Sequence, residues 1–334
     1  MVAIGYKLMS EEHAPAALIR NAQRAEEAGF EFAAISDHYF PWLAEEGHAP
    51  FAWAVLGGLA QATRKLGLMT AVTCPTMRYH PAIIAQATAT LGVMTENRFT
   101  LGLGAGERLN EHIVGGGWPG LVERHDRLAE ALDIIDGLLA DRIVSYRGKY
   151  LHLDHAKIFD RPSRKPAVML AAGGPDAARL AAEKADGLIV TEAKPELLQS
   201  YQKAGGKGPR YAEIALCCAR DKQTGMKTAH KYFRWSLPGW PVLAELPNEE
   251  AFAAASEHVP VNAMGEDISC GPSLDDHLEA IDKYVRLGCD HIILNQIGPD
   301  QDFFFEFFTK KLAPALHKGK PRAKTDRRKG RRPR

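Results

Sequence analysis

The sequence predicts an α/β protein, a (β/α)8 TIM barrel with insertions. Eight short apolar runs are each followed by a helix-length segment, and eight is the number of parallel strands at which such a sheet closes on itself. The competing architecture, a doubly wound open sheet, would place a glycine-rich turn after its first strand. Here the first strand ends in KLMSEEH, and G-x-G-A-G-E comes only after the fourth.

Taken in order, VAIGYKL (Val2 to Leu8) precedes the helical ALIRNAQRAEEAG, and FAAISDH follows it. A helix near Phe51 to Thr63 leads to LGLMTAVT, then the helix AIIAQATATLGVM leads to FTLGLGAG (Phe99 to Gly106). Leu121 to Leu139 is strongly periodic, as a helix with one buried face must be. DRIVSYRGKYLHLDHAKI reads as an inserted hairpin with RG at its turn. AVMLAAGG (Ala167 to Gly174), GLIVTEA (Gly187 to Ala193), IALCCAR (Ile214 to Arg220) and HIILNQI (His291 to Ile297) complete the eight, with a closing helix last. The expected domain is residues 1–316, with inserted segments at about 141–160 and 233–266, followed by a basic, disordered tail at 317–334.

With 46% hydrophobic and 25% charged residues in 334, the chain can bury a sizeable core. No apolar run approaches the roughly 20 residues that span a bilayer, and MVAIGYKLMS lacks the basic and apolar regions of a secretory leader. The reading is soluble and cytoplasmic, with no membrane partner. Five cysteines, an odd number without a CxxC pair, suit a reducing compartment, and neither disulfides nor a structural metal is expected. The net charge of +1 hides an asymmetry: KGKPRAKTDRRKGRRPR carries a net +9, which leaves −8 on the remainder. Such a run suits a solvated extension. No aromatic is interleaved with it, so a nucleic-acid partner is not expected beyond a weak contact by this tail.

In a barrel the C-terminal ends of the strands face one mouth, where chemistry is found. Strand one ends near Glu11 and His13, strand two at Asp37 and His38 with Trp42 in the loop beyond, and strand three at Ala71 to Thr76. Strand four ends at Gly104 to Asn110, strand five at Gly173 and Gly174, and strand six at Thr191 to Lys194. His38, Glu107 and Glu11 are the one set resembling a facial metal triad; nothing else in the sequence supports a metal, and none is assigned.

Several stretches carry a resemblance: GYK at Gly5 to Lys7, SDH..PW at Ser36 to Trp42, GHAPF at Gly47 to Phe51, and PT.RY.PA..AQA.AT at Pro75 to Thr90. NR..LG.G.GE.LNE at Asn97 to Glu111, AAGGP at Ala171 to Pro175 and DG.I.T at Asp186 to Thr191 continue it. In this order and spacing they resemble the luciferase-like barrel superfamily and, within it, the F420-dependent glucose-6-phosphate dehydrogenases. The likeness spans nearly the whole chain except the basic tail and is weakest between Ala193 and Gly288.

The resemblance implies the deazaflavin coenzyme F420, which takes a hydride at C5, and a homodimer. It places His38 at the family's catalytic histidine and Glu107 at its catalytic glutamate. His38 is assigned as the base for the substrate hydroxyl, since imidazole suits that step near neutral pH. Glu107 is assigned to remain protonated and serve ring nitrogen N1, which requires burial; the reverse assignment is the alternative. Trp42 matches a tryptophan at the reacting centre and Glu11 a carboxylate lining the same pocket. Asp37 and Asn110 match positions that hydrogen-bond the deazaflavin, and Ala105 and Gly106 let backbone approach it. Ala71, Val72 and Cys74 fall in the segment whose bulge supports the ring, with a cis peptide implied at Ala71 and Val72 and a cysteine where the family has threonine. Gly173, Gly174, Asp176 and Ala177 match the strand-to-helix turn that takes the coenzyme's phosphate.

Family members grip glucose 6-phosphate with two lysines and an arginine. Lys194 matches the first and Thr191 a neighbouring polar contact, but the second lysine falls near Pro241 and the arginine at Glu266. Like charges roughly 4 Å apart cost about 4 kcal/mol at an effective dielectric of about 20, which disfavours a phosphorylated sugar unless Lys227, Lys231 or Arg234 substitutes. Phe233 to Leu246 reads as a lid with an apolar or sugar-stacking wall, or as a packed connection. The expected activity is an F420-dependent dehydrogenation of a small-molecule alcohol or sugar hemiacetal. The alternatives are an F420H2-dependent reductase, an FMN-dependent monooxygenase of the same superfamily, and a non-enzymatic coenzyme-binding protein.

Overall fold

The computed structural model describes residues 2–317. The strands among them are β1 (Ala3–Leu8), β2 (Phe32–Ile35), β3 (Gly67–Thr70), β4 (Phe99–Leu103), β5 (Val144–Arg147), β6 (His152–Ala156), β7 (Val168–Ala171), β8 (Gly187–Val190), β9 (Arg210–Cys217), β10 (Ser269–Cys270) and β11 (His291–Gln296). Parallel pairing runs β1, β2, β3, β4, β7, β8, β9, β11 and back to β1, so eight strands close a (β/α)8 barrel. All eight are runs expected from sequence. β5 and β6 form the antiparallel hairpin between the helix Leu121–Leu139 and β7.

Side-chain alternation explains why the sheet closes. Phe32, Ala34, Met69, Met169, Ile189, Tyr211 and Ile293 form one buried cluster, the lumen. Their strand neighbours, such as Ala33, Ile35, Leu68, Leu170, Leu188 and Ile292, pack outward against the helices. Gly5 is glycine because a Cβ there would lie 2.3 Å from the Phe32 ring in the lumen. High in the lumen, Lys7 Nζ donates to Glu213 Oε2 at 2.7 Å and to Ala71 O at 2.8 Å, so a buried charge is paired and hydrogen-bonded.

Punctuation in the sequence sets the helix ends. Pro15, Pro81, Pro175 and Pro195 each start a helix, where the missing N–H costs nothing, and Gly29 and Gly288 stop two in the left-handed conformation. Two strand boundaries differ from expectation. β2 stops at Ile35, because Ser36 turns its hydroxyl onto Ser10 and Glu11 instead of continuing the ladder. β9 runs Arg210–Cys217, earlier than expected, since Asp221 caps the next helix and Cys218 to Arg220 form the approach to it. The final helix is held to β1 by Tyr6 Oη donating to Gln301 at 2.7 Å, and to the turn before β2 by Phe30 stacked on Phe308 at 3.8 Å.

The closing helix reaches His317; the rest of the basic tail, expected to be disordered, lies outside the described residues. Among the described residues no helix is long and apolar enough to cross a membrane. All five cysteines are buried and unbridged.

Candidate active site

β1 and β2 pair in parallel with Leu8 opposite Ile35, so the residues that follow leave the sheet side by side. Ser10 donates from its amide to Ser36 Oγ at 3.1 Å and from its hydroxyl to Ser36 O at 2.9 Å, stitching the two exits together. Glu11 is buried between them, with Oε2 accepting from Ser36 Oγ at 2.6 Å and Oε1 3.2 Å from His38 Nδ1. The Phe40 carbonyl lies 3.3 Å from the same nitrogen. A carbonyl only accepts, so Nδ1 carries the hydrogen and the lone pair of the neutral ring sits at Nε2. Nε2 has no partner among the described residues. Trp42 presents itself to the imidazole at 4.5 Å and 61°.

Three carboxyl groups crowd this corner. Burial raises Glu12 to about 8, against a hydrogen bond donated by the Gly298 amide, with Glu11 adding to the rise. Burial likewise pushes Glu46 well above the usual range, helped by Glu11 and Glu12. His13, also buried, is pulled down to about 4. Glu46 is nonetheless well used: Oε2 accepts from the amides of Trp42 at 2.6 Å and Leu43 at 3.1 Å, and Oε1 from Trp235 Nε1 at 3.3 Å.

Trp235 belongs to the inserted segment, which settles over the mouth as a packed cap. Trp235 stacks on Trp42 at 4.1 Å and 13°, and Phe252 meets the same indole at 5.1 Å. These rings, with Leu43, Leu109, Leu243 and Met264, form a second buried core. Polar anchors hold the cap at its edges: Arg234 to Glu45 at 2.9 Å, Arg124 to Glu245 at 3.0 Å, and the Arg108 amide to Ala244 O at 3.0 Å. The stretch Phe233 to Leu246 is thus both an aromatic wall and a packed connection.

The loops after β3 and β4 form the opposite side. The Ala71–Val72 peptide is cis, and Thr73 bridges to Leu103, its amide donating to Gly102 O at 2.9 Å. Asp37 is the hub: Oδ2 accepts from Trp53 Nε1 at 3.1 Å and Thr73 Oγ1 at 2.7 Å, Oδ1 from Arg78 and Tyr79, each at 3.1 Å. Four donors fill a carboxylate's acceptor sites, so in the free chain this side chain holds loops together. Burial drives the Cys74 thiol well above its ordinary range, with Glu111 adding to the rise, and Cys74 contacts Thr76 at 3.2 Å; it is a packing thiol. Gly106 has φ +79, and a Cβ there would lie 2.7 Å from Cys74 Sγ, so only glycine fits. Beyond half-buried Ala105, Glu107 is also half-buried. It begins the helix Arg108–Glu111 without capping it by its side chain, and its carboxyl has no partner among the described residues. Asn110 Oδ1 accepts from the amides of Tyr39 at 2.8 Å and Phe40 at 3.3 Å, tying the Glu107 loop to the His38 loop. Its Nδ2 is buried with no partner.

At the end of β7, a Cβ on Gly173 or Gly174 would meet nothing within 4 Å. Gly174 starts the helix Pro175–Lys184 with no side-chain cap, leaving the first-turn amides of Asp176 and Ala177 free of intrahelical bonds; the Asp176 carboxylate pairs with Arg179. After β8, Thr191 Oγ1 accepts from Trp240 Nε1 at 3.0 Å, and Lys194 Nζ pairs with Glu192 at 2.7 Å.

The sequence profile of the luciferase-like monooxygenase family matches residues 2–291. The chain belongs to the luciferase-like family. Its relatives include the F420-dependent glucose-6-phosphate dehydrogenase of Microbacterium testaceum strain StLB037, 36% identical over 327 residues, covering 94% of this chain and 97% of that one. The enzyme of the same name from Amycolatopsis mediterranei strain U-32 is 34% identical over 330 residues, covering 95% and 99%. Among solved structures, an F420-dependent secondary alcohol dehydrogenase in complex with an F420-acetone adduct superposes with a TM-score of 0.87 at 28% identity, covering 94% of this chain and 99% of that one.

In this luciferase-like barrel four residues that sequence reasoning passed over organise the site. Glu46 and Trp235 join the cap to the Trp42 loop. Arg78 donates to both the carbonyl and the carboxylate of Asp37, and Glu111, raised to about 7 chiefly by burial, accepts the Arg78 amide at 2.9 Å. Arg78 and Glu111 stood inside the matched stretches, and position there was the available signal. Trp235 lay in the aromatic stretch read as a lid, but nothing pointed to its pairing with Glu46, since their bond spans 189 residues of sequence.

Proposed function

We propose that the chain is an F420-dependent oxidoreductase acting on CH–OH groups, with an uncharged alcohol or sugar hemiacetal as substrate. The observation that carries the reading is the imidazole at the mouth whose Nδ1 bonds Phe40 O and lies 3.2 Å from Glu11 Oε1, and whose Nε2 has no partner among the described residues. The relatives named for F420-dependent dehydrogenation support it.

The residues present fit the coenzyme. The open turn at Gly173 and Gly174, with free amides at a helix start, suits its phosphate-bearing tail. Asn110 Nδ2 is a buried donor lacking an acceptor, and Glu107 is an uncommitted carboxyl on the same loop. When bound, F420 supplies a hydride acceptor at C5. His38 Nε2 takes the hydroxyl proton, and the Glu11 carboxylate stabilises the imidazolium that forms, as in other carboxylate–histidine pairs. Trp42 and Trp235 wall the reacting hydroxyl from water. The uncommitted Glu107 carboxyl, on the same loop as Asn110, serves ring nitrogen N1.

Several contacts favour an uncharged substrate. Lys194 is neutralised by Glu192, Thr191 is occupied by the cap indole of Trp240, and Arg234 is committed to Glu45. Glu266 is exposed, with Met264 of the same helix buried beneath the cap. A homodimer, implied by the resemblance, belongs to the same proposal; light scattering tests it.

Titrating the purified chain with F420 and separately with FMN, and following the quenching of coenzyme fluorescence, tests the reading. Tight quenching of F420 alone is expected. Preferential binding of FMN would contradict it and favour the monooxygenase chemistry of the wider family.

A further inference from the structure

We propose that Glu46 is a positioning residue, whose buried carboxyl group locks the Trp42 loop to the inserted cap and so holds the indole wall against which the His38 imidazole rests. Its catalytic consequence rests on the assignment of His38 made above.

Glu46 is 4% exposed, and both its oxygens are used. Oε2 accepts from two successive amides, Trp42 and Leu43, and so fixes the direction in which the Trp42 side chain leaves the loop. Oε1 accepts from Trp235 Nε1, in a segment 189 residues away. The residue whose backbone amide Glu46 accepts, Trp42, and the residue whose indole N–H it accepts, Trp235, are also stacked on each other at 4.1 Å. Offset stacking alone contributes about 1 kcal/mol and leaves the rings free to slide; hydrogen bonds to a charged or buried acceptor are stronger and directional. Glu46 therefore sets the register of the stack. From Trp42 the constraint passes to the His38 ring, which it meets at 4.5 Å and whose Nδ1 lies 3.2 Å from Glu11 Oε1. The imidazole is thus bounded by two carboxyl-anchored loops, through Glu11 directly and through Glu46 by way of Trp42.

The chemistry of the contact dictates the variants. In Glu46→Gln the amide oxygen can still accept from Trp42 and Leu43, but its NH2 then faces the N–H of Trp235, two donors with no acceptor. Trp235→Phe keeps a ring in the stack and deletes that N–H. The combined variant removes the donor conflict, so a double-mutant cycle isolates the bond.

Near-ultraviolet circular dichroism of the ligand-free chain reads the coupled indoles, and steady-state F420 reduction with an alcohol reads kcat and KM. Glu46→Gln is expected to lose the indole couplet and about tenfold in kcat, the scale of a modest misplacement, with KM for F420 changed less than about twofold. Trp235→Phe alone is expected to lower kcat a few-fold, and adding it to Glu46→Gln to raise kcat above that of Glu46→Gln. A Glu46→Gln chain with the couplet and kcat intact, or effects that simply multiply in the combined variant, would overturn the proposal. If Glu46→Gln does not fold, Trp235→Phe with unchanged kcat does so on its own. Failure of the wild-type chain to reduce F420 would instead sink the assigned activity, while the dichroism of the variants still decides whether Glu46 holds the stack.

Discussion

The two groups assigned to move protons sit in contrasting surroundings. His38 is buried, bonded through Nδ1 and walled by Trp42; Glu107 is half-buried and uncommitted, at the start of a four-residue helix. One corner of the mouth is therefore organised before any ligand arrives, and the other is completed by what binds. An imidazole base needs a fixed tautomer, which only a standing hydrogen bond supplies. A carboxyl that serves a coenzyme ring must keep its oxygens free until the ring is there.

Substitutions should break this contrast unequally. His38→Asn is expected to cost about 10³-fold in kcat, within the usual range for losing a general base, with F420 affinity nearly unchanged by fluorescence titration. Glu107→Gln should cost about 10²-fold and also leave coenzyme binding in place; near-normal turnover would remove Glu107 from its role. A smaller effect tests the crowded corner itself. Because burial raises Glu12 to about 8 from an ordinary 4.5, the folded chain holds a proton that the unfolded chain has lost. That contribution to stability is complete below about pH 4.5 and disappears as pH rises through about 8. Between pH 7 and 9 the wild type should lose about 1 kcal/mol more than Glu12→Gln does, as measured by urea unfolding; His13, pulled down to about 4, stays neutral in that window. Least of all, Lys194→Ala should change kcat/KM for an uncharged alcohol by less than about twofold, since Glu192 already neutralises the ammonium.

The same contrast marks how far the sequence could be read. Short apolar runs alternating with helical stretches located all eight barrel strands, because burial on both faces leaves a local signature in residues such as Ala33 to Ile35. His38, Trp42 and Glu107 were legible as strand-end positions within matched motifs. Partnership was not: nothing in Glu11 announces His38, and nothing in Glu46 announces Trp235. Asp37 shows the converse, since its motif position suggested a coenzyme contact and the fold gives its carboxylate four donors from the chain itself. Hydrogen-bond pairing depends on which loops the barrel brings together, and one-dimensional spacing carries little of that.

The central claim is that this mouth oxidises an uncharged alcohol against F420. Loss of F420 absorbance, followed with the purified chain on a simple secondary alcohol, a free sugar and glucose 6-phosphate in parallel, tests it most directly. The account predicts a higher kcat/KM for one of the uncharged substrates, abolished in His38→Asn. A preference for glucose 6-phosphate, or turnover that survives His38→Asn, would contradict it.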